Sequence, residues 1–310
     1  MNSSILLESG TNELEILEFT VGGNYYGINV AKIQEILTYT DLTPLPNAHP
    51  CIEGAFMTRG DTISIINLAR AIGMEEQVDR QKNMFLITNF NKMAVGFHVH
   101  GVQGIHRVSW SQIVKPDSII TSNKDSMVTG IVNFDGRLVI LLDFEKIVAE
   151  ITPESVMNMD DLQKLGKRKK NNTPIIYAED SQLLSLQIYN ALTQSGYTRV
   201  LPMNNGLEVW NLLQQYVKEG TVDENCGCVI TDIEMPQMDG NRLLKLIKED
   251  PALRHIPVII FSSLVNDDLM HKAAALGADA QLSKSELGEF IKSLDKILEE
   301  KLSKNAVEEA

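Results

Sequence analysis

The stretch Cys228-Val229-Ile230-Thr231-Asp232-Ile233-Glu234-Met235-Pro236-Gln237-Met238-Asp239-Gly240 decides how the second half of the chain folds. Its first residues are mostly apolar, the pattern of a short strand buried on both faces of a parallel sheet. Asp232 stands where that run meets a turn built from Pro236 and Asp239-Gly240. In a parallel α/β sheet, ligands gather outside the carboxyl ends of the strands. A carboxylate placed there is open to reagents and held by a rigid scaffold. Taken singly, such an Asp is an ordinary helix N-cap.

Three other runs end in the same way. Pro174-Ile175-Ile176-Tyr177-Ala178 ends in Glu179-Asp180, Pro257-Val258-Ile259-Ile260-Phe261 in Ser262-Ser263, and Ala280-Gln281-Leu282-Ser283 in Lys284. Alone, these are a cap pair, a capping hydroxyl and a surface lysine. Together they are an acid pair, a lone acid, a hydroxyl and an amine, each closing one strand. If the strands are neighbours, Glu179, Asp180 and Asp232 converge as hard oxygen ligands, a set suited to Mg²⁺.

That order and spacing resemble the response-regulator receiver domain of two-component signalling, over about residues 173–304. The resemblance implies that Asp232 is the phospho-acceptor and that Glu179 and Asp180 hold Mg²⁺ with it. Glu234 takes the position whose backbone carbonyl also reaches the metal. Ser262 matches the hydroxyl that follows the phosphoryl group, and Lys284 the lysine that pairs with it. The chemistry suits these residues: a carboxylate attacks phosphorus as a covalent nucleophile, and cations neutralise the equatorial oxygens. Two positions depart from the family. Ser285 follows Lys284 where a proline is usual, and Gln281 stands where many receivers carry an aromatic ring.

Length and composition set the frame. A chain of 310 residues suggests two domains, and 44% hydrophobic residues are those of a globular protein. The net charge of −13 argues against a general affinity for nucleic acid. The N-terminus lacks the cationic and apolar segments of a signal peptide, and no 18 apolar residues run together, so a cytoplasmic protein without membrane insertion is expected. The three cysteines read as thiols: Cys226-Gly227-Cys228 lacks the spacer of a redox or zinc pair.

From about Leu14 to Ile151 the pattern is short strands and turns. Leu17–Val21 and Tyr25–Val30 flank Gly22-Gly23-Asn24, a hairpin signal. Met93–His100 alternates, and further strands are expected at Ser64–Asn67, Met84–Thr88, Thr129–Asn133 and Arg137–Leu142. Ala31–Leu37 and Phe144–Val148 read as short helices. So many strands imply a barrel or sandwich. His98, His100 and His106 lack accompanying ligands at a metal spacing and read as solvent-side histidines.

Three stretches of this half resemble the CheW adaptors of bacterial chemotaxis. They are Ile16–Ile28, then Ile52–Gly73 with Arg59-Gly60 at its centre, and Val128–Asp143. The resemblance implies two intertwined five-stranded SH3-like barrels that bind chemoreceptor tips and a CheA-type histidine kinase. It gives Arg59 a part in receptor binding; on sequence alone Arg59 is a surface arginine in a turn.

The stretch from Asp160 to Thr173 is polar, includes Lys167-Arg168-Lys169-Lys170, and reads as a linker. The expected division is therefore an all-β adaptor at 1–160, a linker at 161–173 and a doubly wound, flavodoxin-like (βα)5 receiver at 174–310. This domain order resembles the CheV-type chemotaxis coupling proteins. It implies an adaptor at receptor arrays, not an enzyme, tuned by aspartyl phosphorylation. The alternative is a response regulator whose β domain is a partner- or ligand-binding output outside chemotaxis. A haloacid-dehalogenase-like hydrolase fits worse, because Glu234 stands where those enzymes usually carry a second Asp.

Overall fold

The computed structural model describes residues 12–58, 60–74, 83–90, 93–114, 127–134, 136–152, 168–263, 267–284 and 286–308; of residues 90, 93, 267–270 and 302–308 only the backbone is described. Arg59, Ser285 and residues 161–167 of the expected linker lie outside the described residues. The chain divides into two compact units, one of Glu13–Val156 and one of the remainder, with which Asn12 also groups.

The first unit is built from ten strands: β1 (Glu13–Val21), β2 (Asn24–Asn29), β3 (Ile33–Thr38), β4 (Ile52–Thr58), β5 (Asp61–Asn67), β6 (Met84–Phe90), β7 (Met93–Val99), β8 (Gly101–Ser109), β9 (Val128–Phe134) and β10 (Arg137–Leu142). Helices α1 (Leu68–Ala71) and α2 (Phe144–Ile151) each follow a strand. The strands form two five-stranded sheets, ordered β8-β1-β2-β10-β9 and β3-β6-β7-β5-β4. The chain leaves the first sheet after β2, builds the second, and returns at β8, which intertwines the two. Each sheet encloses a small apolar cluster of its own, Ile16 with Val132 and Leu141 in one and Ile65 with Phe85 in the other. A larger cluster joins them, with Phe19, Phe97 and Phe144 at its centre.

The hairpin expected around Gly22-Gly23-Asn24 is β1–β2, with both glycines at positive φ. Two expectations for this unit are corrected. Ala31–Leu37 is not a helix: one 3-10 turn, Val30–Lys32, is capped by the Asn29 side chain and runs directly into β3. The sequence Ile33-Gln34-Glu35-Ile36-Leu37 fits either period, and antiparallel pairing with β6 selects the strand. His98 is buried, not solvent-side. Its Nδ1 lies 2.6 Å from Glu53 Oε2, and Tyr39 and Phe85 pack on the ring.

The second unit is a parallel sheet of β11 (Ile175–Ala178), β12 (Val200–Met203), β13 (Cys228–Thr231), β14 (Val258–Ser262) and β15 (Ala280–Ser283), ordered β12-β11-β13-β14-β15. Around it stand α3 (Gln182–Gln194), α4 (Gly206–Glu219), the short α5 (Val222–Asn225), α6 (Gly240–Glu249), α7 (Asp267–Ala275) and α8 (Leu287–Glu308). Apolar faces of the helices meet the sheet. Ile188, Ala191 and Leu192 of α3 join Leu287, Ile291, Leu294 and Leu298 of α8 on one face, while Val209 and Leu213 of α4 cover the other. Residues 168–173, assigned to the linker by composition, lie instead against the turn after α3. There Asn171 N donates to Gly196 O and Thr198 N donates to Asn171 O.

Candidate functional site

Strand register builds the site. Ala178 pairs with Thr231, so the residues that follow, Glu179 and Asp232, leave neighbouring strands side by side. Ser262 pairs with Ser283, which brings Lys284 to the same end of the sheet. A parallel sheet aligns its carboxyl ends because every crossover returns the chain to the same edge. Residues up to 105 apart in sequence thus meet at one edge.

Carboxylate oxygens of Glu179, Asp180 and Asp232 lie within 4.8 Å of one another. Among the described residues this is the one cluster of three or more such groups. Lys284 Nζ reaches Glu179 Oε2 at 2.7 Å and Asp232 Oδ2 at 3.0 Å, and all three side chains are almost wholly buried. Burial pushes the Glu179 carboxyl well above the usual range, and the neighbouring Asp232 and Asp180 add to the rise while Lys284 opposes it. Three carboxylates beside an ammonium that pairs with two of them carry a surplus of negative charge. Hard oxygen donors with such a surplus fit a divalent cation of the Mg²⁺ type.

The backbone around Asp232 is held from three sides. Asp232 N donates to Ala178 O, Ile233 N donates to Asp232 Oδ1 at 2.7 Å, and the Thr231 hydroxyl donates to Asp232 O at 2.9 Å. Helix α6 begins against this turn. Its first residue, Gly240, has room for no side chain: a Cβ would lie 1.9 Å from Asp232 O. Asp239 caps that helix by accepting from Arg242 N at 2.8 Å, and burial raises its carboxyl to about 6. Ser262 is buried, and its carbonyl accepts from Lys284 N at 3.2 Å. Glu234 is half-buried in the turn after Asp232.

Glu179, Asp180, Asp232, Ser262 and Lys284 therefore gather at one end of the sheet, and Arg59 lies outside the described residues. Sequence reasoning missed the supporting parts, Thr231, Asp239 and Gly240. The Asp-Gly pair was visible as a turn, but its close approach to Asp232 is a tertiary fact. It also missed two acids of the first unit, the part-buried Glu53 and the fully buried Glu18. Glu53 pairs with His98, and Glu18 accepts from Arg137 at 2.9 Å and lies 2.7 Å from His106.

Residues 15–152 match the CheW-like domain family and residues 175–295 the response regulator receiver domain family. Chemotaxis protein CheV3 of Helicobacter pylori is 30% identical over 93% of this chain and 96% of its own length. Chemotaxis protein CheV2 of the same organism is 30% identical over 93% and 95%. Chemotaxis protein CheW of Thermotoga maritima is 31% identical over 47% of this chain and 95% of its own. Among solved structures, the scaffolding protein TtCheW of Thermoanaerobacter tengcongensis overlays on 42% of this chain and 88% of its own, with a TM-score of 0.39 and 22% identity. The Mn²⁺-bound response regulator Rcp1 covers 40% of this chain and 91% of its own, with a TM-score of 0.35 and 24% identity.

Proposed function

The chain belongs to the CheV family of chemotaxis proteins, and on that premise we propose that it couples chemoreceptor tips to a CheA-type histidine kinase in the cytoplasm, with the coupling tuned by phosphorylation of Asp232. The observation that carries the reading is the convergence of Glu179, Asp180 and Asp232 with Lys284 at the carboxyl end of one sheet. Its role is to bind and signal, not to turn over a substrate.

In the transfer, an Asp232 carboxylate oxygen forms a bond to phosphorus as the P–N bond of a phosphohistidine breaks and the imidazole takes up a proton. Ile233 N, bonded to Oδ1, holds the carboxylate in place. Lys284 is positioned to shift from the carboxylates to the new phosphoryl oxygens, and the Ser262 hydroxyl to turn toward them. Glu179, Asp180, Asp232 and the Glu234 carbonyl would hold Mg²⁺, which supplies charge neutralisation on the transferring group when bound. Arg59 is assigned to receptor binding in the adaptor unit.

Phosphorylation from a histidine kinase or a small phosphodonor tests the acceptor. Asp232→Asn should abolish hydroxylamine-sensitive labelling, and wild-type labelling should require Mg²⁺. Equal labelling of both proteins, or labelling undiminished in EDTA, would reject the site.

A further inference from the structure

The described part of the polar run before β11 begins at Arg168. From there to Thr173 the chain is a strap on the second unit. Asn171 N donates to Gly196 O at 2.8 Å, and Thr198 N returns a bond to Asn171 O at 3.0 Å. Gly196 sits at φ 96°, and a Cβ there would lie 2.6 Å from Lys169 O, so the strap passes where only glycine leaves space.

Arg168 ties this strap to two elements at once. Its Nε donates to Ser195 O at 2.8 Å, and its Nη2 donates to both carboxylate oxygens of Asp295, 2.6 Å from Oδ2. The hydroxyl of buried Tyr197 donates to Asp295 Oδ1 at 2.6 Å. An isolated surface ion pair carries little energy. This one is about three-quarters buried on both sides and shares its carboxylate with a buried phenol, so it acts as a network with directional, charge-assisted bonds.

Asp295 lies on α8, and α8 is bonded to the candidate acceptor site. Lys284 N donates to Ser262 O, Glu286 N to Ser283 O, and Phe290 N to Glu286 O. Phe261, the neighbour of Ser262, stacks on Phe290 with ring centroids 4.2 Å apart. Asp295 follows Phe290 by five residues, about 7.5 Å along the same helix. A contiguous path of packed and hydrogen-bonded groups thus runs from Asp232 and Lys284, through the start of α8, to Arg168 and the strap.

We propose that the Arg168–Asp295 clamp reports the state of Asp232 to the strap at the receiver end of the linker; this deepens the reading of Asp232 as acceptor and rests on it. A phosphoryl group adds charge where Lys284 now bridges two carboxylates. The ammonium must redistribute, and its backbone is held to Ser262 and leads into α8. Small shifts of that helix act on a forked arginine whose bonds tolerate little misalignment. Arg168 and Asp295 are positioning residues, since neither touches the phosphoryl group.

Linkage supplies a test that a purely structural staple would not meet. If beryllofluoride on Asp232 alters strap opening by some factor, breaking the clamp must alter beryllofluoride affinity by a matching factor. In the full-length protein, hydrogen exchange at Asn171 and Thr198 should change at least about fivefold on adding beryllofluoride with Mg²⁺. In Arg168→Gln and in Asp295→Asn the strap response should vanish while the response at Lys284 N persists, and beryllofluoride affinity should shift correspondingly. Arg168→Lys, which keeps the charge and loses the fork, should behave as Arg168→Gln. Responses at Lys284 that stop short of the strap, or variants with wild-type affinity, overturn the clamp alone. A wild type in which beryllofluoride changes neither Lys284 nor the strap overturns the acceptor reading and the clamp together.

Discussion

At the scale of single residues, the carboxyl end of the parallel sheet is a place where charge is kept out of water at a cost. Asp239 shows the cost most clearly. It caps α6 from a buried position, and burial raises its carboxyl from 3.8 to about 6. The folded form therefore keeps a proton that the unfolded chain has already lost, so stability falls as pH rises from about 4 to about 6. Asparagine caps a helix equally well and carries no charge. Asp239→Asn should stabilise the second unit by about 1–3 kcal/mol at pH 7 and give almost no gain at pH 4. Urea titration followed by Trp210 fluorescence, with Trp110→Phe to silence the first unit, reads this directly. A gain of the same size at both pH values would show that the cap, not the charge, is responsible.

At the scale of elements, β15 carries a conflict that the fold tolerates. Gln281 occupies a strand position beside Ile260, and both its amide oxygen and nitrogen are buried with no hydrogen-bond partner among the described residues. Leaving buried polar atoms unpaired costs about 1–3 kcal/mol, so Gln281→Leu should raise receiver stability by that order. In this arrangement the amide is a spare donor and acceptor next to the strand that ends in Ser262. If Gln281→Leu instead destabilises the second unit in the same urea titration, the amide has a partner the strand depends on. The other instructive element is β3. Ile33, Ile36 and Leu37 satisfy a helical stripe, yet alternation of half-buried and exposed residues along β3 shows a strand at the edge of its sheet. A short amphipathic run carries too few residues to separate the two periods, and the pairing partner decides.

At the scale of the whole molecule, the proposed reading places its two tasks in separate units. Arg59 belongs to the first and Asp232 to the second. Reversing the charge of Arg59 should therefore weaken receptor-tip association while leaving phosphoryl labelling of Asp232 intact. Pull-down of receptor tips with Arg59→Glu in the full chain, scored beside Asp232 labelling of the same preparation, checks both halves of that statement. Unchanged association would return Arg59 to an ordinary surface arginine, and lost labelling would mean that the substitution damages more than one site.

What the sequence by itself determined is the set of strand ends and their chemistry. Glu179-Asp180, Asp232, Ser262 and Lys284 each close a run apolar enough to be a buried strand, and a parallel sheet must bring such ends to one edge. The hairpin at Gly22-Gly23-Asn24 was equally legible, because its turn chemistry is local. Tertiary structure alone decided everything that depends on a distant partner. His98 lies buried with its Nδ1 2.6 Å from Glu53 Oε2, a partner 45 residues away. Gly240 is required because helix α6 starts against Asp232 O. Arg168 belongs to the receiver because Asp295, 127 residues later, lies on the helix that passes beneath it. Composition reads Lys167–Lys170 as a solvated spacer, since periodicity and charge report on neighbours along the chain, whereas a clamp between ends of a domain is set only when the chain has closed on itself.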